Sequence, residues 1–216
     1  SGLIYGMTVA HQFISSGFYG NALVIGCEGL SRILDWNDRN TCVLLGDGAG
    51  AVIMGRVEKG YGVLASILGA DGTLGHNITI PCCYMDEDDM KKRKGPDKRV
   101  LWMDGSEVFK FAVRIMAEAT RDVVSQAGLG LDDIDLIIPH QANIRIIEGA
   151  VKRLGVSCRQ VFRNVEKFGN ISSASIPIAL DMALKEKRLD KGDYTVFVGF
   201  GGGLTWAATL LKWGGR

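Results

Sequence analysis

His140 is the first side chain whose type and position point to chemistry. It follows the apolar run 136–138 and precedes a predicted helix. That is the carboxyl end of a strand, where α/β proteins collect ligands and catalytic groups. An imidazole there can act as acid, base or hydrogen-bond donor, although a histidine bonded to a nearby carbonyl would have the same spacing. His11, in a predicted helix, and His76, in a variable loop, are interpreted as structural or solvent-exposed.

Two further segments could supply hydrogen-bond donors to an oxyanion. Asn170 stands at the mouth of a predicted helix, where its amide could donate, although Asn is also an ordinary turn and N-cap residue. The run Gly201-Gly202-Gly203 has more glycine than a hairpin needs and lets a ligand approach backbone N–H groups closely. It predicts an oxyanion hole, with a sharp turn in a crowded core as the alternative.

Other motifs are less specific. The segment 46–51 (GDGAGA) lacks the Lys-Ser/Thr of a phosphate-binding P-loop and is not a dinucleotide fingerprint. Its glycines predict close packing between layers or subunits. Arg39 and Arg145 are candidate anion contacts, with surface salt bridging as the alternative.

Strands alternate with helices along the chain and a hairpin closes it, which predicts a layered α/β fold with buried, mixed strands. Helices are predicted at 1–16, 105–128, 142–154 and 173–187, and strands at 22–26, 41–45, 60–70, 134–138, 194–200 and 204–213. The wholly apolar run 22–26 is typical of a strand buried on both faces. Residues 71–104 break the pattern and predict a structureless functional loop or a disordered insertion.

The composition argues against several classes of protein. Lys plus Arg number 25 and Asp plus Glu number 24, so there is no global attraction to nucleic acid or to a membrane surface. The five cysteines are odd in number and form no C-x-x-C pair, which argues against a disulfide framework and a zinc site. Reduced thiols in a cytoplasmic protein are the simplest interpretation. No apolar run approaches the roughly 18–20 residues that span a bilayer.

The whole chain resembles the β-ketoacyl-ACP synthase III family of the thiolase superfamily. The matching stretches, in family order, are 1–5, 38–41, 46–51, 104–109, 139–143, 169–172 and 200–206. The resemblance implies a thiolase-like α-β-α-β-α fold with mixed sheets. It also implies two halves, with residues 1–58 the remainder of the N-terminal half. Residues 59–216 would form the C-terminal half, with an insertion loop at 71–104.

The resemblance also implies roles for single residues. His140 and Asn170 match the second and third members of the family's Cys-His-Asn triad, and Gly202 matches a backbone oxyanion donor. The nucleophilic Cys would directly precede Ser1, so the chain is expected to be the C-terminal two-thirds of the enzyme and inactive alone.

Four further residues match substrate or partner contacts of the family. Arg39 matches a residue near the CoA adenine, and Asn143 one near the active-site water network. Phe200, which opens the glycine motif, is expected on the substrate side. Arg145 matches a residue that docks the acidic carrier protein.

The reaction implied is decarboxylative condensation of an acyl-CoA with malonyl-ACP, without metal or other cofactor, by a cytoplasmic homodimer that needs neither nucleic acid nor membrane. A polyketide- or quinolone-type starter synthase of the same fold is an alternative, separated by its preference for malonyl-ACP or malonyl-CoA. A non-catalytic partner subunit that lacks the nucleophile is a second alternative, although it would not need both His140 and Asn170.

Overall fold

The computed structural model describes residues 1–80 and 100–215. The helices are α1 (Gly2–Ser15), α2 (Gly105–Gln126), α3 (Ile144–Leu154), α4 (Val165–Phe168) and α5 (Ser175–Lys185). The strands are β1 (Asn21–Gly29), β2 (Asp47–Gly55), β3 (Gly62–Ala70), β4 (Ile78–Thr79), β5 (Trp102–Met103), β6 (Leu136–Pro139), β7 (Tyr194–Gly201) and β8 (Thr205–Lys212). The alternation of helices and strands and the closing hairpin are confirmed.

The central sheet is mixed, as predicted. Its strand order is β3-β8-β7-β6, with β6 and β7 parallel and the other neighbours antiparallel. Helices α2 and α3 cover one face, α1 and α5 cover the other, and the antiparallel pair β1-β2 packs beyond α1 and α5. The described residues therefore form successive α, β, α and β layers.

Strand β7 shows why the run 196–198 is wholly apolar. Val196 and Val198 belong to the core shared with α2 and α3, whereas Phe197 belongs to the core shared with α1 and α5. Both faces of the strand are buried, so side chains that alternate in direction are apolar in both directions. This packing fixes the carboxyl ends of β6 and β7, from which the candidate site is built.

Strand β1 differs from the prediction. The strand is present, but its side chains are not buried on both faces in the described structure. Leu23 and Ile25 are each 60% exposed, and Ile53 on the paired strand β2 is 81% exposed. Only the opposite face of this two-stranded sheet packs, against α1 and α5. Composition alone cannot distinguish an apolar face that is covered from one that is left open.

The predicted strand at 41–45 is wrong. The segment forms turns, and only Leu45 makes an isolated bridge, to Asn170. The Asp38 carboxylate accepts hydrogen bonds from the backbone N–H of Asn40 and from the Thr41 hydroxyl, at 3.0 and 2.9 Å. Such local side-chain bonds favour a turn over a sheet ladder, even where the following residues are apolar.

The prediction that 71–104 is structureless is also wrong where the structure describes it. Asp71 caps a 3-10 helix, Gly72–Asn77, by accepting from the N–H of Thr73. The next residues form β4, which pairs antiparallel with β5. Residues 81–99 of the predicted loop lie outside the described residues. The short ladder brings the two ends of the segment together beside the Gly201–Gly203 turn.

The glycines of 46–51 pack as predicted, against another layer. A Cβ on Gly50 would lie 2.7 Å from Cγ of Pro177, and one on Gly46 would lie 2.9 Å from the Phe168 carbonyl oxygen. Contacts under about 3 Å leave no room for a side chain, so β2 approaches the 168–178 segment only because these residues are glycine.

Candidate active site

His140 lies where the sequence placed it, directly after β6. Its backbone N–H donates to the Val198 carbonyl at 2.7 Å, which ties the loop to the end of β7. The side chain is only 7% exposed, and its ring meets the edge of Phe200 with centroids 5.6 Å apart. Burial lowers the pKa of His140 to about 3. The imidazole is therefore neutral near pH 7.

The start of α1 lies beside this histidine. The Ser1 backbone nitrogen lies 3.4 Å from the Phe200 carbonyl oxygen, and Ser1 Oγ lies 2.8 Å from Oγ1 of Thr205. A Cβ on Gly199 would lie 3.3 Å from Cβ of His140 and 3.5 Å from the Ser1 nitrogen. Tertiary packing thus brings the amino end of α1, the imidazole and the end of β7 to one point. A helix N-terminus there favours a negative charge close to it.

Asn170 is fixed by its backbone and by its side-chain oxygen. Its N–H donates to the Leu44 carbonyl, and its carbonyl accepts from the N–H of Gly46, both at 2.9 Å. Its Oδ1 accepts from the N–H of Ser172 at 3.0 Å. Because that contact is with a donor, it fixes which end of the amide is oxygen. The Nδ2 group finds no hydrogen-bond partner among residues 1–80 and 100–215, so it remains available as a donor.

The Asn170 turn is joined to His140 and to β1 by short bonds. Ser175 Oγ lies 2.7 Å from His140 Nδ1 and 2.8 Å from the Ser172 carbonyl oxygen. On the other side, the Glu28 carboxylate accepts from the N–H and the hydroxyl of Ser173, at 3.0 and 2.6 Å. The two predicted donors, His140 and Asn170, therefore belong to one hydrogen-bonded unit.

Gln141 clamps the loop behind His140, a role that the sequence did not predict. It is 1% exposed, and its side-chain amide donates to the carbonyls of Pro139 and Phe162 at 2.8 and 3.2 Å. Its Oε1 accepts from the N–H of Asn164 at 2.9 Å. The available signal was its position directly after a candidate histidine, but glutamine is usually exposed. Two of its three partners, Phe162 and Asn164, lie more than twenty residues away along the chain.

Replacing Gln141 with leucine should destabilise the fold by about 3 kcal/mol, because a buried N–H and two buried carbonyls lose their partners and each such loss costs about 1–3 kcal/mol. Part of that cost is offset where a group finds another partner. Urea denaturation followed by far-UV circular dichroism measures the change. The matched control is Gln126→Leu at the exposed end of α2, for which we expect a change within about 0.5 kcal/mol. Equal stability of the two variants would contradict the claim that the hydrogen bonds of Gln141 stabilise the loop after β6.

Hydrogen bonds hold one side of the Gly201–Gly203 turn, and its other side is exposed. The backbone groups of Asp71 and Leu204 exchange two hydrogen bonds, at 2.8 and 3.0 Å, and the Thr205 hydroxyl donates to the Gly202 carbonyl at 3.1 Å. Gly202 itself is exposed, and a Cβ there would lie no closer than 3.7 Å to Ile78. The turn therefore offers exposed backbone next to the start of α1.

The remaining predicted residues lie at different distances from this centre. Phe200 forms a buried wall against the His140 ring. Asn143 caps α3 by accepting from the N–H of Arg145 at 2.9 Å, a structural role that the prediction did not include. Arg145 is exposed, with its guanidinium 5.8 Å from the Phe109 ring centroid. Arg39 is exposed in the turn that leads to Leu44 and Asn170.

In ranges 1–80 and 100–215, no group of three or more His, Cys, Asp or Glu residues could hold a metal ion. Within the same ranges, no helix is both long enough and apolar enough to cross a membrane.

The layered mixed α/β fold, with histidine and asparagine near the amino end of a helix, is that of the thiolase-fold enzymes. A solved structure of β-ketoacyl-ACP synthase III from Thermus thermophilus superposes with a TM-score of 0.93 at 46% identity, covering 100% of this chain and 66% of that one. The corresponding enzyme of Aquifex aeolicus gives a TM-score of 0.89 at 44% identity, covering 99% of this chain and 64% of that one. The predicted fold class is confirmed.

Sequence comparison narrows the class to one family. Residues 1–72 match the model of 3-oxoacyl-[acyl-carrier-protein] synthase III, and residues 124–213 match the model of its C-terminal part. The β-ketoacyl-[acyl-carrier-protein] synthase III of Desulfitobacterium hafniense is 51% identical over 100% of this chain and 65% of its own length. That of Staphylococcus aureus is 51% identical over 99% of this chain and 64% of its own length. The chain belongs to the 3-oxoacyl-ACP synthase III family.

The chain spans about 65% of the length of the curated relatives that it matches. The expectation that it is a C-terminal portion, inactive alone, with the nucleophile directly before Ser1, stays a prediction.

Proposed function

We propose that the full-length protein condenses an acyl-CoA starter with malonyl-ACP, releasing carbon dioxide and forming 3-oxoacyl-ACP, as the first condensation of fatty acid synthesis. The observation that carries the proposal is that buried His140 lies beside the amino end of α1 and is joined by hydrogen bonds, through Ser175 and Ser172, to the turn that carries Asn170. Membership of the 3-oxoacyl-ACP synthase III family supports the same reaction.

In the first half-reaction, the nucleophile is a cysteine directly before Ser1. Its position at the start of α1 lets the helix dipole favour the thiolate. The thiolate attacks the thioester carbonyl of the acyl-CoA, the bond to the CoA sulfur breaks, and CoA leaves as a thiol with the proton that the cysteine gave up. Backbone N–H groups hold the transient oxyanion, one of them from the Gly201–Gly203 turn, with Gly202 as the donor.

In the second half-reaction, the bond between the malonyl α-carbon and its carboxylate breaks, and carbon dioxide leaves. The electron pair forms an enolate, whose oxygen accepts hydrogen bonds from His140 and Asn170. The enolate carbon then attacks the acyl-cysteine, the carbon–sulfur bond breaks, and the thiolate is restored. A neutral His140 suits this role, because a neutral donor stabilises the enolate without protonating it.

Other predicted residues would bind substrates and partner. Arg39 would contact the adenine end of CoA, Phe200 would line the substrate side of His140, and Asn143 would contact the active-site water. The capping bond of Asn143 uses its oxygen, so its amide nitrogen is the group left for that contact. Exposed Arg145 would dock the acidic carrier protein.

Replacing Arg145 with glutamate should raise the KM for malonyl-ACP about tenfold, because a surface attraction becomes a repulsion at a protein interface, while acyl transfer from acyl-CoA is unchanged. The measurement compares condensation kinetics with acyl-CoA transfer at equal enzyme concentration. A higher salt concentration screens exposed charges, so it should reduce the difference in KM for malonyl-ACP between the variant and the original protein.

The matched control for this experiment is Lys59→Glu. Lys59 is exposed, and its neighbour Glu58 pairs with Lys191 just before β7, at the end of the sheet opposite to His140. The control should leave the KM for malonyl-ACP unchanged. An unchanged KM in the Arg145 variant would remove that residue from the docking surface.

The proposal is tested by incubating the full-length protein with acetyl-CoA and measuring peptide masses. An acetyl group on a cysteine directly before Ser1 is the expected result, and loss of the label after addition of malonyl-ACP completes the cycle. If that residue is not cysteine, or stays unmodified, the proposed function is wrong and a partner-subunit role takes its place. A preference for malonyl-CoA over malonyl-ACP would instead favour a specialised starter synthase.

The broader organisation follows the same proposal. We expect a cytoplasmic homodimer in which residues 1–58 complete one half and residues 59–216 form the other. The open face of the β1-β2 sheet, with Leu23, Ile25 and Ile53, supports a further layer or subunit over it, because exposed apolar patches in an isolated chain mark surfaces that are covered in the assembly.

A further inference from the structure

Ser172, two residues after Asn170, has a backbone conformation that serine rarely adopts. Its φ is 44°, in the left-handed region, where the Cβ of an L-residue crowds the backbone. Within ranges 1–80 and 100–215, Ser172 and Lys187 are the only non-glycine residues with positive φ. Lys187 lies in the exposed turn after α5, whereas Ser172 lies beside a proposed donor of the site. A left-handed serine persists only where the surrounding structure holds it.

Hydrogen bonds within the turn hold both backbone polar groups of Ser172. Its N–H donates to Oδ1 of Asn170 at 3.0 Å, and its carbonyl oxygen accepts from the Ser175 hydroxyl at 2.8 Å. The first bond links the backbone of Ser172 to the orientation of the Asn170 amide. If Ser172 rotated to an ordinary negative φ, its N–H would turn away from Oδ1, and the amide would lose the contact that fixes it.

The next residue, Ser173, is bound from outside the turn by Glu28 of β1. One carboxylate oxygen, Oε1, accepts from both the N–H and the hydroxyl of Ser173, at 3.0 and 2.6 Å. An ionised carboxylate can only accept, so the direction of both bonds is fixed. Bonds to a charged acceptor are about twice as strong as those between neutral groups. Glu28 therefore anchors Ser173 firmly to β1.

The backbone of Ser173 also packs directly on β1. A Cβ on Gly26 would lie 2.4 Å from the Ser173 carbonyl oxygen, and Glu28 is two positions along the same face of the strand. Ser172 is thus enclosed between the Asn170 side chain and a residue that β1 holds in place. These contacts supply the constraint that the left-handed conformation of Ser172 requires.

We propose that Glu28 is a positioning residue, whose bonds to Ser173 hold Ser172 in the left-handed conformation and thereby fix the Asn170 amide with Nδ2 available. The inference rests on the proposed function, in which Nδ2 of Asn170 donates to the enolate. Glu28 acts on that step only through the turn. The requirement for Glu28 therefore depends on which residue occupies position 172.

Replacing Glu28 with alanine in the full-length protein should lower the condensation rate about tenfold to a hundredfold, the effect expected when a reacting group is misplaced by up to about 1 Å. Acyl transfer to the nucleophile should fall much less, because Asn170 acts only in the second half-reaction. Glu28→Gln, which keeps the accepting oxygen, should restore most of the condensation rate. Single-turnover assays measure both half-reactions. An unchanged condensation rate in Glu28→Ala, or equal loss of the two half-reactions, would overturn the proposal.

A sharper test combines Glu28→Ala with Ser172→Gly, since glycine adopts a positive φ without the penalty that serine incurs. The double variant should condense about fivefold faster, or more, than Glu28→Ala alone. The matched control combines Glu28→Ala with Lys187→Gly, which relieves the left-handed residue at the opposite end of α5. This control should condense no faster than Glu28→Ala. No gain from Ser172→Gly, or an equal gain from Lys187→Gly, would rule out the constraint on Ser172.

Folding of the variants is checked by circular dichroism. If Glu28→Ala is unfolded, Ser173→Ala takes its place in the same comparison, because it removes only the 2.6 Å bond from the hydroxyl and keeps the bond from the N–H. The loss of condensation should then be smaller, and Ser172→Gly should again reverse it. A Ser173→Ala variant that condenses like the original protein would in that case contradict the proposal.

The side-chain amide of Asn170 gives a measurement without substrate. In NMR of the full-length protein with ¹⁵N-labelled asparagine, its signal is the one missing from Asn170→Ala. We expect the signal to shift in Glu28→Ala and to return when Ser172→Gly is added. If the original protein does not condense, the proposed function fails and the positioning role fails with it. If it condenses and neither its rate nor the amide signal depends on Glu28, only the positioning role fails.

Discussion

Replacing His140 with alanine in the full-length protein should lower the condensation rate by about 10²- to 10³-fold, the usual effect of removing one preorganised donor to a developing oxyanion. Acyl transfer to the nucleophile should fall much less, because the oxyanion of that half-reaction is held by backbone groups. Asn170→Ala should have the same pattern, since its Nδ2 is the second donor of the proposed mechanism. Single-turnover assays measure the two half-reactions separately.

The matched control is His11→Ala, on the partly exposed surface of α1, which should leave both half-reactions unchanged. Circular dichroism must show that the variants are folded before the rates are compared. Equal loss of both half-reactions in His140→Ala would refute a donor role confined to the enolate. It would point instead to an imidazole that activates the nucleophile.

Replacing Gly26 with alanine should have the second large effect, on stability and on condensation together. A Cβ at this position in β1 would lie 2.4 Å from the Ser173 carbonyl oxygen and 3.0 Å from the Ala174 nitrogen. Neither atom can move without the turn that carries Asn170 and Ser175. We expect a loss of about 1–3 kcal/mol in the free energy of unfolding, the usual cost of overpacking. Condensation should fall as the turn shifts.

Urea denaturation and the condensation assay measure the two effects of this change. Gly20→Ala is the matched control, because no heavy atom lies within 4 Å of a Cβ there and its backbone is not in the left-handed region. It should leave stability and rate close to those of the original protein. A Gly26 variant as stable and active as the control would mean that β1 does not constrain the site.

The local elements could be predicted because each depends on neighbours in sequence. The apolar spacing of α1 and α3 fits helices, and Gly155 ends α3 in the left-handed conformation at φ 78°. His140 was a candidate because it follows a buried strand, and Asn170 because of its turn. The strand predicted at 41–45 is wrong because the bond from the Thr41 hydroxyl to the Asp38 carboxylate favours a turn, although the residues that follow are apolar.

The support of the site could not be predicted, because its partners are distant in sequence. Gln141 reaches Phe162 and Asn164, Ser175 reaches His140, and Glu28 reaches Ser173 across 145 positions. Serine and glutamine are common surface residues, so nothing in their type indicates burial. Similarly, the apolar run in β1 has the same composition whether one face or both are covered.

Residue type and short-range spacing therefore predict most of the helices and strands, and they show which side chains have the chemistry for hydrogen-bond donation. Only the tertiary structure decided that the end of β6, the turn before α5 and the start of α1 meet at one point. That meeting depends on sheet order and on close contacts such as that of Gly26 with Ser173, which are set by packing between residues far apart in the chain.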